Sequence, residues 1–405
     1  MSQPRMLYLS PVVPALAGNG LAMRSGIVLE ILARHYCVWL LVRTLYPSPA
    51  PAVPALLARL CEESTVLPAS GVQPAPGRRM RDVLRRPRSP EPFRDVPFDV
   101  VHVFRLAMVP AAHPYLSGSR PPQRHLDLDD LESRTNRRLA ELYRRNGDET
   151  GARLAELRAN VAELAEEEVL KRWDRIYVCS HGDRAAVTRG GTRVSVLPNA
   201  VRLPASPLPP SPSGPFTFLF VGTLAYYPNE DGMLFFCRRV MPLIRARSGA
   251  SFRVLVVGMG TGSMLDALGG IPEVRLVGGV PDTGPWYGEA HAVVVPVRAG
   301  GGTRIKVLEA FAYGRPVVST SLGCEGIEVL DGVHVLLGDT PERFAHHCVA
   351  LMEDAPLRAR LSANARALVR DRYTMEAISS AVEPVARYTT LSEAEAGMPF
   401  RRGAE

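Results

Sequence analysis

A run of three glycines leads directly into a segment with helical spacing, and this combination could bind an anion. Gly300, Gly301 and Gly302 carry no Cβ, so the backbone can approach a ligand closely. The following helix directs unpaired N–H groups and the positive end of its dipole to the same place. Thr303 and Arg304 add a hydroxyl and a guanidinium. These features predict a binding site for a nucleoside diphosphate.

Glu309 lies one to two turns further along the same predicted helix. Its carboxylate could accept hydrogen bonds from two vicinal hydroxyls, as a ribose offers. In the competing interpretation, the glycines only form a tight turn, and Glu309 pairs with Lys306 on the surface at spacing i, i+3. Spacing alone leaves both interpretations open.

Short apolar runs alternate with helical patterns along the whole chain, which is typical of parallel sheets with helices on both faces. In the first half, strands are predicted at Met6–Leu9, Cys37–Val42, Val100–Phe104, His125–Leu128, Ile176–Cys179 and Val194–Leu197. In the second half they are predicted at Phe216–Val221, Phe252–Val257, Val274–Leu276, Ala292–Pro296, Pro316–Thr320 and His334–Leu337. Helices are predicted at Leu21–His35, Leu131–Arg172 with a break near Asn146 and Gly147, Asp231–Arg247, Arg304–Tyr313, Pro341–Met352, Pro356–Asp371 and Met375–Tyr388.

A proline-rich segment, VRLPASPLPPSPSGP, separates the two series of elements and favours a stiff, extended connection. Two domains are also expected from length, because single cores stop growing at roughly 250 to 300 residues and the chain has 405. We predict a first domain over residues 1–203, a linker over 204–215, a second domain over 216–374, and a C-terminal helix and tail over 375–405. Whether that tail packs back on the first domain is left open. Two such domains place a ligand cleft between the carboxyl ends of their strands.

Composition predicts a globular protein in a reducing, cytoplasmic setting. The chain is 46% hydrophobic and 22% charged, and its six cysteines form no Cys-x-x-Cys pair. Ser10, Pro11 and Pro14 interrupt the apolar start, so we interpret it as a strand rather than a signal peptide. No stretch reaches the roughly 18 to 20 apolar residues that a membrane-spanning helix needs.

The net charge of +7 is concentrated in the Arg78–Arg94 segment, within GRRMRDVLRRPRSPEPFR. One interpretation is a solvated loop. The other is attraction to an anionic acceptor or to the inner membrane face, where each basic residue contributes about 1 kcal/mol. Aromatic residues for base stacking are nearly absent there, so no nucleic-acid partner is predicted.

The segment VPVRAGGGTRIKVLEAFAYGRPVVST resembles the donor-binding region of the group 1, or family 4, retaining glycosyltransferases. That family has the GT-B fold, two Rossmann-like parallel-sheet domains facing an interdomain cleft, with the donor on the second and the acceptor on the first. Its site is marked by a glutamate, seven residues, and a second glutamate followed by alanine. Glu309-Ala310 matches the second, which implies a ribose contact, whereas the first falls at Gly301. The chain is similar to a branch with a Gly-Gly-Gly-Thr-Arg-Ile-Lys loop, where backbone N–H groups of Gly300 to Thr303 would replace the missing sugar contact.

Phe220-Val221-Gly222-Thr223 resembles the turn that opens the family's donor domain, so Gly222 and Thr223 are predicted donor contacts. The family's arginine after that glycine is Thr223 here, and its later Lys-Gly is Asp231-Gly232. Both cations that neutralise the leaving diphosphate are therefore missing from their usual places. Arg304 and Lys306 are the nearest substitutes, and we favour Arg304, since residues two apart cannot share a helix face. A salt bridge or simple solvation is the alternative for either one.

Two further loops resemble donor-pocket segments of the family. Val256-Val257-Gly258-Met259-Gly260 resembles the next turn along the sheet, and Gly258 would border the nucleotide. The spacing itself, which is not Gly-x-Gly-x-x-Gly, favours a plain helix-entry turn here. Gly18-Asn19-Gly20 resembles the first-domain loop that reaches over the donor phosphates, and Arg24 behind it could point into the cleft. A flexible loop with an exposed arginine is the alternative.

The acidic segment HLDLDDLESR ends an apolar run of the first domain. By position in the family, Asp129 and Asp130 lie nearest the chemistry and would orient or deprotonate the acceptor. Alternatively, the carboxylates cap the following helix. Asp127-Leu128-Asp129 imitates a metal motif, but its place in the first half argues for a metal-independent enzyme.

The resemblance implies transfer of a sugar from a nucleotide-diphosphate sugar to an acceptor hydroxyl, with retention of configuration. The predicted catalytic residues are Asp129, Asp130 and Arg304. No cofactor is expected beyond the nucleotide-sugar co-substrate, and the acceptor would be a small molecule, a glycan or a lipid-linked intermediate. The alternatives are a GT-B nucleotide-sugar epimerase and a non-catalytic nucleotide-sugar-binding protein, the latter suggested by the missing cations.

Overall fold

The computed structural model describes residues 3–44, 55–67, 91–117, 121–187, 193–209, 214–260 and 262–382. Residues 78–90 of the arginine-rich segment lie outside these ranges, and so do residues 383–388 of the last predicted helix. No helix in the described ranges combines the length and apolarity needed to cross a membrane.

Seven parallel strands form the first sheet, in the order β3-β2-β1-β4-β5-β6-β7. They are β1 (Arg5–Ser10), β2 (Cys37–Arg43), β3 (Glu63–Leu67), β4 (Val100–Phe104), β5 (Gln123–Asp129), β6 (Arg175–Val178) and β7 (Val194–Val196). Every predicted strand of the first half is present. One strand was not predicted, the edge strand β3, whose segment ESTVL begins with three polar residues.

Six parallel strands form the second sheet, in the order β10-β9-β8-β11-β12-β13. They are β8 (Phe216–Val221), β9 (Phe252–Val257), β10 (Val274–Gly278), β11 (Ala292–Val295), β12 (Val317–Ser319) and β13 (Leu336–Leu337). In both sheets the strand order reverses beside the first strand of the series, which is the arrangement of a doubly wound fold. The prediction of two Rossmann-like parallel-sheet domains is confirmed.

Helices connect the strands and cover both sheets. In chain order they are α1 (Gly20–Leu32), α2 (Ala55–Leu60), α3 (Val109–Ala112), α4 (Glu132–Arg145), α5 (Glu149–Arg172), α6 (His181–Val187), α7 (Tyr227–Phe235), α8 (Met241–Arg247), α9 (Gly262–Gly269), α10 (Gly284–Glu289), α11 (Ile305–Ala312), α12 (Pro341–Glu353), α13 (Ala355–Arg372) and α14 (Met375–Ile378). The predicted break between α4 and α5 is present, with Gly147 at φ +81°. The predicted Asp231–Arg247 helix starts earlier, at Tyr227, and a π-helical turn at Phe236–Val240 divides it.

The C-terminal end of the described chain packs on the first sheet. Ile378 and Val382 are buried in the same apolar cluster as Met6, Tyr8 and Val38. The side chains after α13 therefore contribute to the core formed by β1 and β2, and the chain crosses between the two sheets twice.

Glycine turns end the central strands of the second sheet and pack against each other. Gly222 N–H donates to Val257 O at 2.8 Å, and Gly258 N–H donates to Gly278 O at 2.8 Å. A Cβ on Gly258 would lie 2.0 Å from the carbonyl oxygen of Gly222. The turns are thus stacked too closely for any side chain at position 258.

Gly258→Ala is expected to lower the free energy of unfolding by about 2 kcal/mol, because the new methyl group collides with backbone rather than with a movable side chain. The matched control is Gly249→Ala, where an added Cβ meets nothing within 4 Å. Thermal and urea unfolding of the two variants would check this. Equal midpoints for both variants would contradict the close stacking of the turns.

Candidate active site

The predicted donor loop lies where the carboxyl ends of the two sheets meet. It connects β11 to α11, and its backbone takes left-handed conformations at Gly300 (φ +108°) and Gly302 (φ +66°). On Gly301, a Cβ would lie 1.9 Å from Thr135 Oγ1 and 3.0 Å from Asp130 Oδ2 of the first domain. Gly301 therefore permits a close contact between the two domains, while the positive φ angles favour glycine at positions 300 and 302.

The first-domain glycine loop reaches the same place. It follows β1, and Asn19 caps α1 by accepting a hydrogen bond from Ala22 N–H at 2.9 Å. A Cβ on Gly20 would lie 3.4 Å from Ile305 Cδ1, at the N-terminus of α11. Gly18 has φ +105° and open space around it. The structure thus brings Gly18, Asn19 and Gly20 to the entrance of the donor helix.

Arg304 folds back onto its own loop. Its guanidinium donates to the carbonyl oxygens of Gly301 and Gly302, and it lies 3.5 Å from that of Ala299. Among the described residues no carboxylate pairs with Arg304, and its side chain is only partly exposed, so neither alternative, a salt bridge or full solvation, is observed there. In this conformation the Arg304 guanidinium binds the carbonyl oxygens of its own loop. Its charge is therefore not directed from the loop into the cleft.

The ammonium group of Lys306 lies beside the Gly222 turn, which follows the first strand of the second sheet. Its Nζ donates to Asn229 Oδ1 at 2.8 Å and lies 4.3 Å from the centroid of the Phe220 ring. A Cβ on Gly222 would lie 2.5 Å from that same Nζ. Burial, and secondly the charge of Arg304, lower the pKa of Lys306 to about 7. Lys306 therefore lies at the turn that the family resemblance associates with a cation.

Lysine is rare in this chain. Of its 48 basic residues other than histidine, only Lys171 and Lys306 are lysines. The two side chains differ physically, since lysine presents a compact point charge that can lose its proton, whereas arginine is larger and stays charged. The narrow space between the Phe220 ring, Asn229 and the Gly222 turn suits the smaller group.

Glu309 faces a polar recess rather than bulk solvent. Its carboxylate accepts hydrogen bonds at 3.4 Å from Thr283 Oγ1 and from the Tyr287 hydroxyl. Burial raises its pKa to about 7. The surface pair with Lys306 that the spacing allowed is not formed, since Lys306 Nζ bonds Asn229 instead. Each carboxylate oxygen thus accepts from one hydroxyl of the protein and keeps a further lone pair for a second donor.

Thr303 connects the donor loop to the buried centre of the first domain. Its hydroxyl accepts a hydrogen bond from Asn199 Nδ2, and Asn199 Oδ1 accepts from Arg24 at 3.2 Å. Arg24 in turn contacts Asp127 Oδ1 at 2.7 Å and is 2% exposed. The interpretation of Arg24 as an exposed loop arginine is therefore wrong. Its side chain supports the contact between the domains from within the core.

The acidic segment at the end of β5 is neutralised by two arginines. Arg24 Nε lies 3.3 Å from Asp129 Oδ1, and Arg105 Nη1 lies 3.1 Å from Asp129 Oδ2 and also contacts Asp130. Burial raises the pKa of Asp129 to about 6, and the two arginines oppose that shift. The alternative of a helix cap is wrong, because Leu131 occupies the N-cap of α4, and Glu166 rather than the acidic segment accepts from Ser133 N–H in the first turn.

Backbone strain marks the same place. Asp129 has φ +62° and Arg105 has φ +78°, a left-handed conformation that costs a residue with a side chain about 1 kcal/mol or more. Asp129 is the last residue of β5, and Arg105 directly follows the neighbouring strand β4. Such strain persists where surrounding contacts hold it, and it is concentrated at functional sites. Here it directs Arg105 and Asp130 toward the donor loop.

Arginines of α4 hold the two domains together beside the site. Arg138 donates to Gly300 O at 3.0 Å and pairs with Glu325, which Arg134 also contacts at 2.6 Å. Further out, the rings of Tyr143 and Tyr227 stack with centroids 4.4 Å apart. Glu325 belongs to the loop after β12, Cys324-Glu325-Gly326.

Several of these residues escaped the sequence analysis. Arg105 directly follows a buried parallel strand, and a polar residue at that position is a signal that could have identified it. Arg134 and Arg138 lie four apart on one face of α4, a pattern equally typical of solvated helices. Asn229 and Tyr287 carry no sequence signal, because only the fold brings them to Lys306 and Glu309.

Comparison with known proteins identifies relatives for the second half and for the fold. Residues 215–354 match the family model described as glycosyl transferases group 1. A protein of Klebsiella pneumoniae, described as an uncharacterized 44.6 kDa protein in the cps region, is 23% identical over 179 residues. That match covers 40% of this chain and 44% of the relative, so the chain spans less than half of its length.

Solved structures of similar architecture cover nearly the whole chain. Sucrose-phosphate synthase from Thermosynechococcus elongatus superposes with a TM-score of 0.66 at 17% identity, over 93% of this chain and 96% of that one. HepE from Anabaena, solved with UDP and glucose, superposes with a TM-score of 0.62 at 15% identity, over 98% of this chain and 100% of that one. The lipopolysaccharide outer core galactosyltransferase WaaB superposes with a TM-score of 0.55 at 12% identity, over 93% of this chain and 97% of that one. The chain therefore has the GT-B fold, and its second sheet lies within a segment that matches the group 1 glycosyl transferases.

Proposed function

We propose that this protein transfers a sugar from a nucleotide-diphosphate sugar to an acceptor hydroxyl with retention of configuration and without a metal ion. The observation that carries the proposal is the meeting of Glu309, Lys306 and the glycine loop at the edge where the two sheets face each other. The match to group 1 glycosyl transferases supports sugar transfer. The GT-B fold supports a donor bound between the domains.

In this proposal Glu309 binds the ribose, and the amide groups of Gly300 to Thr303 bind the diphosphate and the sugar. Lys306 neutralises charge on the leaving phosphate oxygen as the bond from that oxygen to the anomeric carbon breaks. A new bond forms between that carbon and the acceptor oxygen on the same face of the sugar. Asp130, which lies against Gly301 across the cleft, orients the acceptor or takes its proton.

Ion pairs of the acidic segment support metal independence. Asp127 contacts Arg24, and Asp129 contacts both Arg24 and Arg105, so the carboxylates that imitate a metal motif already have cationic partners. Activity lost in EDTA and restored by Mn²⁺ would refute this part of the proposal.

The experiment that tests the function combines donor selection with product analysis. Thermal shift against UDP-, GDP- and TDP-sugars identifies the donor, because selective binding stabilises the folded state. UDP-glucose comes first, since HepE of the same fold was solved with UDP and glucose. Mass spectrometry then follows the chosen donor with and without a panel of glycan and lipid-linked acceptors.

A glycosylated acceptor whose linkage keeps the donor's anomeric configuration supports the proposal. Conversion of the donor without any acceptor indicates an epimerase instead. Binding with no turnover across the panel indicates a non-catalytic nucleotide-sugar-binding protein. That second candidate is favoured by one observation, the absence of a basic residue at Thr223 and Asp231.

The dependence of kcat/KM on pH is expected to be a narrow bell centred near pH 7. Glu309 must be ionised to accept two hydroxyls, and its raised pKa of about 7 makes activity rise with pH up to that value. Lys306 must be protonated, and its lowered pKa of about 7 makes activity fall above it. Lys306→Met has no titratable group at this position, so the basic limb should disappear from its residual activity. An unchanged basic limb in that variant would assign it to another group.

A further inference from the structure

The helix α5 presents large apolar side chains to solvent. Leu154, Leu157, Val161 and Leu164, here called the outer stripe, are 47, 60, 61 and 69% exposed. Eight large apolar residues are exposed among the described residues, and half of them lie in this stripe. Scattered exposed apolar residues are ordinary, but a continuous row on one helix marks an interaction surface.

The opposite face of α5 packs within its own domain. It buries Ala152, Ala155, Ala159 and Ala162, which allow a close approach to α4. Glu166 on that face accepts from Ser133 N–H at 3.0 Å and so fixes the start of α4. Over residues 152–164 the helix thus turns its small apolar residues inward and its large ones outward, whereas Val169 and Leu170 at its C-terminal end pack into the domain.

The spacing of the outer stripe is that of a coiled-coil seam. The intervals of three, four and three residues repeat the pattern that brings two helices together along a shared line. In an antiparallel pair about a two-fold axis, Leu154 lies opposite Leu164 of the second copy, and Leu157 lies opposite Val161. Every apolar residue of the stripe then finds an apolar partner.

Charges beside the stripe select this orientation. Arg153 lies next to the seam at one end and Glu167 at the other, both exposed. Antiparallel pairing places each Arg153 beside Glu167 of the second copy, whereas parallel pairing places Arg153 beside its own mate. Glu156 and Glu163 are already paired with Arg144 and Arg137 of α4.

We propose that two copies of this chain associate through the outer stripe of α5, antiparallel about a two-fold axis. A membrane surface fits less well, because helices that bind anionic lipid carry mainly lysine and arginine beside their apolar face, whereas the stripe has Glu167 and Glu168 beside it as well as Arg153 and Arg158. A seam of four apolar positions is short, so the expected dissociation constant is micromolar, ~1–100 µM.

Sedimentation equilibrium of the full chain tests the association. The mass is expected to rise with concentration from 44.1 kDa toward twice that value. Leu157→Glu should remain at the monomer mass, while Leu330→Glu, a control at an exposed leucine outside the stripe, should behave as the wild type. The proposal is overturned if the wild type stays monomeric at every concentration. It is equally overturned if that monomer instead co-sediments with phosphatidylglycerol vesicles, which would indicate a membrane surface as the partner. A Leu157→Glu variant that dimerises normally also overturns it.

Cysteine cross-linking tests the orientation. Antiparallel pairing brings Asn160 beside its own mate, so Asn160→Cys should form an intermolecular disulfide on oxidation. In Arg153→Cys the two cysteines would be about 18 Å apart along the axis, too far for a bond. The wild type supplies the background from its own cysteines. Equal cross-linking of both variants would indicate parallel pairing and overturn this orientation.

Charge exchange gives an independent check. Arg153→Glu should weaken association at least fivefold, and the double variant Arg153→Glu with Glu167→Arg should restore it, because the pair is reversed rather than lost. Arg158 lies beside its own mate in this arrangement, so Arg158→Ala should strengthen association. Circular dichroism confirms that each variant keeps its helix. A double variant as weak as Arg153→Glu alone would contradict the pairing.

Discussion

Glu309→Gln is expected to weaken binding of the preferred nucleoside diphosphate about 100-fold, or ~2.7 kcal/mol. The carboxylate can accept from two ribose hydroxyls at once, whereas the amide offers one oxygen and turns an N–H group toward the other. The amide nearly matches the carboxylate in volume, so the packing against Thr283 and Tyr287 is kept. The loss then reports the hydrogen bonds rather than a cavity.

Calorimetry with the nucleotide and its 2′-deoxy analogue isolates the ribose contact. The wild type should bind the deoxy analogue at least tenfold more weakly, and Glu309→Gln should bind both about equally. Glu353→Gln, at the exposed end of α12, is the matched control and should keep the wild-type preference. If Glu309→Gln still discriminated between the two nucleotides, the ribose would be held by another group.

Lys306→Met is expected to lower kcat by about 10²- to 10³-fold with little change in KM. A cation aimed at charge that develops only as the bond breaks contributes roughly 3 to 4 kcal/mol to the transition state and less to the bound donor. The side chain of methionine fills much of the space beside Phe220 that lysine occupies. The variant therefore removes the charge while disturbing the packing little.

Steady-state kinetics of Lys306→Met beside Arg304→Met decides between the two candidate cations. Arg304 contacts the carbonyls of its own loop, so its loss should raise KM more than it lowers kcat. Lys171→Met, an exposed lysine of α5, is the charge-matched control. A larger fall in kcat for Arg304→Met than for Lys306→Met would return the role to Arg304, as the sequence favoured.

The strands were predictable because most are apolar runs buried on both faces. Val100–Phe104 and Phe216–Val221 match the structure at both ends, since Asp99 and Arg105 flank the first and the strand-breaking residues Pro215 and Gly222 flank the second. Glu63–Leu67 was missed because an edge strand is half-exposed and keeps polar residues. The Asp231–Arg247 helix began too late in the prediction because Pro228, which suits the first turn of a helix, was not used as a start signal.

Only those site residues that lie together in one segment of the chain could be predicted from the sequence. Glu309 and the three glycines lie within ten residues, so spacing was informative. Asn229 lies 77 residues before Lys306, and the contact between them depends on the order of the strands. The choice between Arg304 and Lys306 also depends on where each side chain points after the loop turns, which local spacing does not determine.

The scarcity of lysine opens a direct spectroscopic route to the site. Reductive methylation with isotope-labelled formaldehyde marks only amines, which here are Lys171, Lys306 and the chain's own N-terminus. A carbon spectrum of the labelled protein should therefore contain three resolvable resonances. The one from Lys306 is expected to move with pH near neutrality and to shift when a diphosphate is added. The protonation state of Lys306 in this 405-residue protein can thus be followed by NMR without growing the protein in an isotope-enriched medium.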